Sequence, residues 1–243
     1  TVLFSALFAP RWVVYLLFGD AALGTGFVGT FLVKGVLLGF DLLLLSVMLS
    51  FARHRSRQIL FFYWLNPILI YITYLYGQLD IAAMSLCFTS LYLATRNKIF
   101  LSSLCFAAAT LCKFHVVALV PFILAYLWNN DFAVTARKKI GIWSGTWLIL
   151  SAVGFFPLLQ ASTFLHASAS SPEALRIFSF SLSLASDSAT NSPVLYLGVL
   201  ITLCVIGFLC LSQKISNDGL FFGSALIMGC LVLVTNPFPG WYL

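Results

Sequence analysis

VGTFLVKGVLLGFDLLLLSVMLSFARHRSR, residues 28–57, decides the class of fold. Its apolar part, 28–52, carries charge only at Lys34 and Asp41, and it exceeds the roughly 20 residues a helix needs to cross a bilayer core of about 30 Å. The basic run Arg53-His54-Arg55-Ser56-Arg57 follows at once, which is the signature of a cytoplasmic anchor.

The same pattern recurs outward from there. Of the 243 residues, 61% are hydrophobic and 8% charged. A soluble surface needs about a quarter charged residues, so the composition predicts a membrane protein. Apolar runs near 2–18, 28–52, 59–76, 79–95, 99–113, 115–128, 139–158, 193–212 and 218–236 predict an all-α, polytopic transmembrane helical bundle of eight or nine membrane segments, forming one domain over 1–243. Pro10-Arg11 interrupts the first run, and the pair 99–113 and 115–128 is short for a full crossing. The chain opens on Thr1 and stops within Trp241-Tyr242-Leu243, which reads as a fragment at both ends.

Arg53 to Arg57, Arg96-Asn97-Lys98, Arg137-Lys138-Lys139 and Lys214 fall at every second connection and place those connections in the cytoplasm. The net charge of +6 is spread over these short clusters rather than along one face, so no nucleic-acid partner is expected. The membrane is either a bacterial inner membrane or the endoplasmic reticulum. The opposite connections carry the distinctive polar residues: Gly77 to Asp80, Lys113 to His115, the loop about 159–192, and the terminal run from Asn236 to Tyr242. In the long loop, Ser171-Pro172-Glu173 opens like a short helix, with Ser as N-cap and Pro at the first position, and Arg176 follows. It suits either an interfacial helix or a lid over a headgroup site.

Asp80 starts a segment on the outer face, where a carboxylate serves equally as a helix cap or as a ligand for a polar substrate, with Gln78 beside it. Lys113 ends a segment on the same face; it either satisfies helix carbonyls or meets an anion such as a phosphate or Asp80. His115 is an interfacial histidine, a phosphate ligand or a base, and no second ligand stands at metal spacing. Asp41, in mid-segment, is costly in hydrocarbon by about 2.5 to 3.5 kcal/mol and must face the bundle or a wet cavity; Lys34 lies too far along the helix for an easy pair. Asp20 reads as a loop acid near Gly19 and Gly24-Thr25-Gly26. Asn66-Pro67 should kink the 59–76 helix, leaving Asn66 able to bond to a neighbouring helix. Six cysteines without paired spacing read as buried thiols. No nucleotide-binding loop, nucleophile elbow or zinc motif occurs, and no ligand motif calls for a divalent cation, so the cofactor stays open.

Trp64-Leu65-Asn66-Pro67, then Tyr76-Gly77-Gln78-Leu79-Asp80, then Lys113 continuing to Pro121, together with the terminal Pro237-Phe238-Pro239-Gly240-Trp241-Tyr242, resemble polytopic glycosyltransferases of the GT-C superfamily. The closest branch is the one that uses polyprenyl-phosphate sugars. The resemblance implies an inverting hexosyltransferase, acting on the outer or luminal face, that moves a sugar from a lipid-linked donor to a lipid or glycan acceptor. It implies a general base in the first outer loop, in a region expected at or before the start of this chain, with Asp20 as the acid nearest to it. It gives Asp80 a role in binding ahead of catalysis, places Lys113 and Arg176 on the lipid phosphate, and adds Gln78, His115, Trp241 and Tyr242 to the substrate site. Two other readings stand beside it: a secondary transporter or flippase with Asp41, Lys34 and Asp80 along its pathway, and a noncatalytic membrane subunit.

Overall fold

The computed structural model describes residues 27–75, 80–130, 133–160, 203–208, 210–211 and 215–234. Among these residues the architecture is all-helical, with no strand. The expected first segment at 2–18, most of 193–212, the Ser171 helix start and the terminal aromatic run lie outside the described residues. The described residues belong to two compact units, one drawn from Thr1–Val117 and Arg137–Gly154, the other from Ala118–Ala136 and Phe155–Leu243.

In the first unit, α1 (Phe27–Phe51) is the long apolar helix expected from the opening stretch. Helix α2 (Ser56–Ile59) runs into a π-helical turn, Leu60–Trp64, and α3 (Pro67–Ile70) into another, Tyr71–Leu75. The sequence predicts a single kinked helix here, with Asn66 able to bond to a neighbouring helix. Instead the helix stops at Leu65 and restarts, with Asn66 extended at ψ 114° as the N-cap of α3 and Pro67 in its first turn. The Asn66 side chain stays local: its Oδ1 accepts from the Ile68 N–H at 3.0 Å and its Nδ2 donates to the Phe62 carbonyl at 3.2 Å. The reason is supply and demand at a helix break. Pro67 has no N–H to give, the turn before it keeps an unpaired carbonyl, and a short amide side chain is the nearest group able to serve both ends.

Helices α4 (Asp80–Thr95) and α5 (Ile99–Cys112) form an antiparallel hairpin, and α1 packs against α4. The turn is a left-handed C-terminal cap: Asn97 adopts φ 61°, the Lys98 N–H reaches the Leu93 carbonyl at 2.9 Å, and the Asn97 N–H reaches Ala94 at 3.0 Å. Asparagine takes positive φ more readily than most residues with a Cβ. The buried positions of the hairpin are mostly small, Ala82, Ser85, Ser90 and Ala94 on α4 with Ser102, Ala107 and Ala109 on α5, which allows close backbone approach. Ser90 and Ser102 share a hydrogen bond of 3.1 Å between the two helices.

Helix α7 (Ala133–Gln160) contributes its 137–154 part to the same unit. Trp143 is fully buried, with its ring 5.1 Å from that of Phe106, and its Nε1 donates to Ser102 Oγ at 3.1 Å while Ser103 donates to its carbonyl at 2.6 Å. Gly154 lies against Leu111 so closely that a Cβ would fall 2.5 Å from Leu111 Cδ1. The helix starts earlier than the expected 139–158, so Arg137-Lys138-Lys139 stands in its second turn rather than in a connection. Lysine and arginine are good helix formers whose long stems let the charge reach water from within a helix, so a basic cluster need not end one.

In the second unit, α6 (Val120–Asn129), preceded by a 3₁₀ turn at Phe114–Leu119, meets α8 (Asn217–Val234). Ser216 caps α8 by accepting from the Gly219 N–H at 2.9 Å. Tyr126 donates to Asn217 Oδ1 and Asn130 to the Ile215 carbonyl, each at 2.8 Å.

Among the described residues two helices are long and apolar enough to cross a membrane, through Lys34–Phe51 of α1 and Val134–Phe156 of α7. Only 17% and 11% of those windows is buried, whereas the core helix of a water-soluble domain buries most of such a stretch. The other apolar helices are shorter; the 16 residues of α4 rise about 24 Å. All six cysteines are free, but the expectation of buried thiols holds fully only for Cys87: Cys105, Cys112, Cys210 and Cys230 are half-buried and Cys204 is exposed.

Candidate functional site

The α4–α5 hairpin creates the site. Because the two helices run antiparallel from Asn97, the first residue of α4 and the residue that follows α5 arrive at the same end. These are Asp80 and Lys113, and their side chains form an ion pair. Lys113 leaves the helix in extended conformation, φ −146° and ψ 120°, with its N–H still donating to the Ala109 carbonyl at 2.9 Å. Its ammonium goes across to Asp80 rather than back to the last carbonyls of its own helix. Asp80 receives a second attraction from the N-terminus of α4, where unpaired amides favour a negative charge.

The two side chains are 37% and 42% exposed, so part of the pair is open to a ligand. Water also screens it at that exposure, and pairs of this kind contribute about 0 to 1 kcal/mol to stability. What the arrangement can do chemically follows from its two halves. The ammonium offers three donors to an anion such as a phosphate, and the carboxylate offers acceptors to hydroxyl groups.

The remaining expected site residues divide by location. His115 lies in the 3₁₀ turn after Lys113, and only its backbone is described. Gln78, Asp20, Arg176, Trp241 and Tyr242 lie outside the described residues. Among the described residues no group of His, Cys, Asp and Glu could hold a metal ion.

Asp41 is only 9% exposed and its two oxygens are occupied separately, Oδ1 by the hydroxyl of Tyr63 and Oδ2 by that of Tyr74 at 2.6 Å. Lys34 is exposed and is not its partner. Tyr63 and Tyr74 were not singled out in the sequence. The signal was present: a lone acid in the middle of one apolar helix requires donors, and the next apolar segment carries tyrosines on both sides of Asn66-Pro67.

Compared with protein-family models, curated proteins and solved structures, the chain matches none.

Proposed function

We propose that the chain is a membrane glycosyltransferase of the GT-C kind, an inverting hexosyltransferase that uses a polyprenyl-phosphate sugar as donor and a lipid or glycan as acceptor. The observation that supports it is the Asp80–Lys113 pair: a cation and a carboxylate, half open, at one end of a helical hairpin. A lipid-linked sugar presents a phosphate next to a ring of hydroxyls, and the pair offers a complement to each. In this proposal Lys113 takes the phosphate and Asp80 the hydroxyls, with Gln78, His115, Arg176, Trp241 and Tyr242 as further substrate contacts and Asp20 as the acid nearest the expected base.

The membrane setting draws support from α1 and α7, whose apolar windows are mostly exposed. We place eight or nine segments in a bacterial inner membrane or the endoplasmic reticulum, with the basic clusters cytoplasmic and the Asp80 end outside or luminal. The transporter alternative depended chiefly on Asp41 as a group lining a pathway, and the two tyrosines that occupy its oxygens weaken it.

The test is transfer of radiolabelled hexose from polyprenyl phosphate by the full chain in proteoliposomes. Lys113→Ala should lower transfer on the order of 100-fold, the scale of losing one charge-stabilising donor in a site. Asp80→Asn should lower it by about tenfold, one good hydrogen bond to a charged acceptor. Full transfer by both variants would remove these residues from the site. Uptake of a solute driven by a proton or sodium gradient, with no sugar consumed, would replace the enzyme by the transporter.

A further inference from the structure

Among the described residues the buried acid is Asp41, which accepts from both Tyr63 and Tyr74. The two tyrosines stand on opposite sides of the break at Leu65 and Asn66, and each lies inside a π-helical turn, Leu60–Trp64 and Tyr71–Leu75. One carboxylate of α1 therefore grips both halves of a divided helix.

Phe61, Phe62, Leu65, Ile68 and Tyr71 are each 55% exposed or more and α2 and α3 contain no buried residue, while Thr73 in the second half is buried. Two side-chain hydrogen bonds, both on Asp41, tie the segment to α1. A helix already interrupted at Asn66-Pro67 can turn there while each half keeps its own backbone bonds, once the Asn66 side chain, which bonds Phe62 in one half and Ile68 in the other, gives up one of the two.

We propose that Asp41 is the pin of a hinge, and that the halves 56–64 and 67–75 move as separate bodies about Leu65 and Asn66 when the phenols leave the carboxylate. The hinge does not depend on sugar chemistry at Asp80.

Hydrogen–deuterium exchange of the full chain in nanodiscs, read by mass spectrometry, tests the pin directly. Tyr63→Phe removes one hydroxyl and keeps the ring; it should speed exchange at least tenfold in 56–64 and leave 67–75, α4 and α5 near wild type. Tyr74→Phe should reverse the pattern, and Asp41→Leu should speed both halves. Unchanged exchange in both phenylalanine variants would overturn the hinge. So would acceleration spread evenly over the segment, α4 and α5, because Asp41 would then be an ordinary bond of the core. The phenylalanine variants decide the matter even if Asp41→Leu does not fold.

Discussion

Two carboxylates sit in contrasting surroundings, and those surroundings separate their roles. Asp80 shares a half-exposed pair with Lys113, whereas Asp41 is buried under two phenols. Thermal unfolding in detergent, followed by tryptophan fluorescence, should rank their variants accordingly. Lys113→Ala is expected to cost about 1 kcal/mol or less, as exposed pairs do. Tyr63→Phe should cost about 1.5 to 3 kcal/mol, the range for a hydrogen bond to a charged group. An equal cost for the two would mean that the Asp80 pair is structural. The charge-swapped variant, Asp80→Lys with Lys113→Asp, adds a second reading: it should retain the fold yet transfer no sugar, because the cation would stand where the hydroxyls bind. Restored transfer in that variant would show that the pair acts only by holding the hairpin together.

At the scale of elements, α5 and α7 have a contact that no span assignment reveals. A Cβ on Gly154 would displace the tip of the Leu111 side chain, while Gly141 on the same helix has open space around its Cα. Gly154→Val, whose branched side chain must push the Leu111 tip aside, should therefore destabilise the chain by about 1 kcal/mol, the low end of overpacking. Gly141→Ala should be neutral or stabilising by up to about 1 kcal/mol, since alanine is the better helix former. The same unfolding measurement checks both, and a loss at Gly141 equal to that at Gly154 would contradict the packing. The break at Asn66 is the second feature of this scale. Asn66→Ala removes the side-chain bonds to Ile68 and Phe62 and should cost about 1 kcal/mol, the usual value of an N-cap. Asn66→Asp, which keeps the acceptor, should recover most of that loss.

At the scale of the whole molecule, the basic clusters predict the proposed topology. Paired cytoplasmic and periplasmic reporters fused after Arg57, Asn97 and Lys138 should report the cytoplasm, and fusions after Gln78, Lys113 and Ser171 the opposite side. A cytoplasmic signal from the fusions after Gln78 and Lys113 would move the ion pair away from the face on which a lipid-linked donor is proposed to be used.

Much of this was legible in the amino-acid order. Apolar run length located α1, α4, α5 and α8 to within a few residues, because a helix in an apolar setting must satisfy its own backbone and shows it as uninterrupted hydrophobicity. It also marked Asp80, Lys113 and Asp41 as charges needing partners. Only the tertiary structure decided which partners they found. The hairpin turn at Asn97 brings Asp80 and Lys113 to one end, and α1 meets the divided segment so that Tyr63 and Tyr74 share Asp41. The start of α7 and the full stop at Asn66 were likewise beyond the pattern, since run length reports how apolar a stretch is but not which nearby group supplies a missing hydrogen bond. Hydrophobicity is a property of each residue and can be read in order along the chain; pairing is a property of two, and depends on how the helices pack.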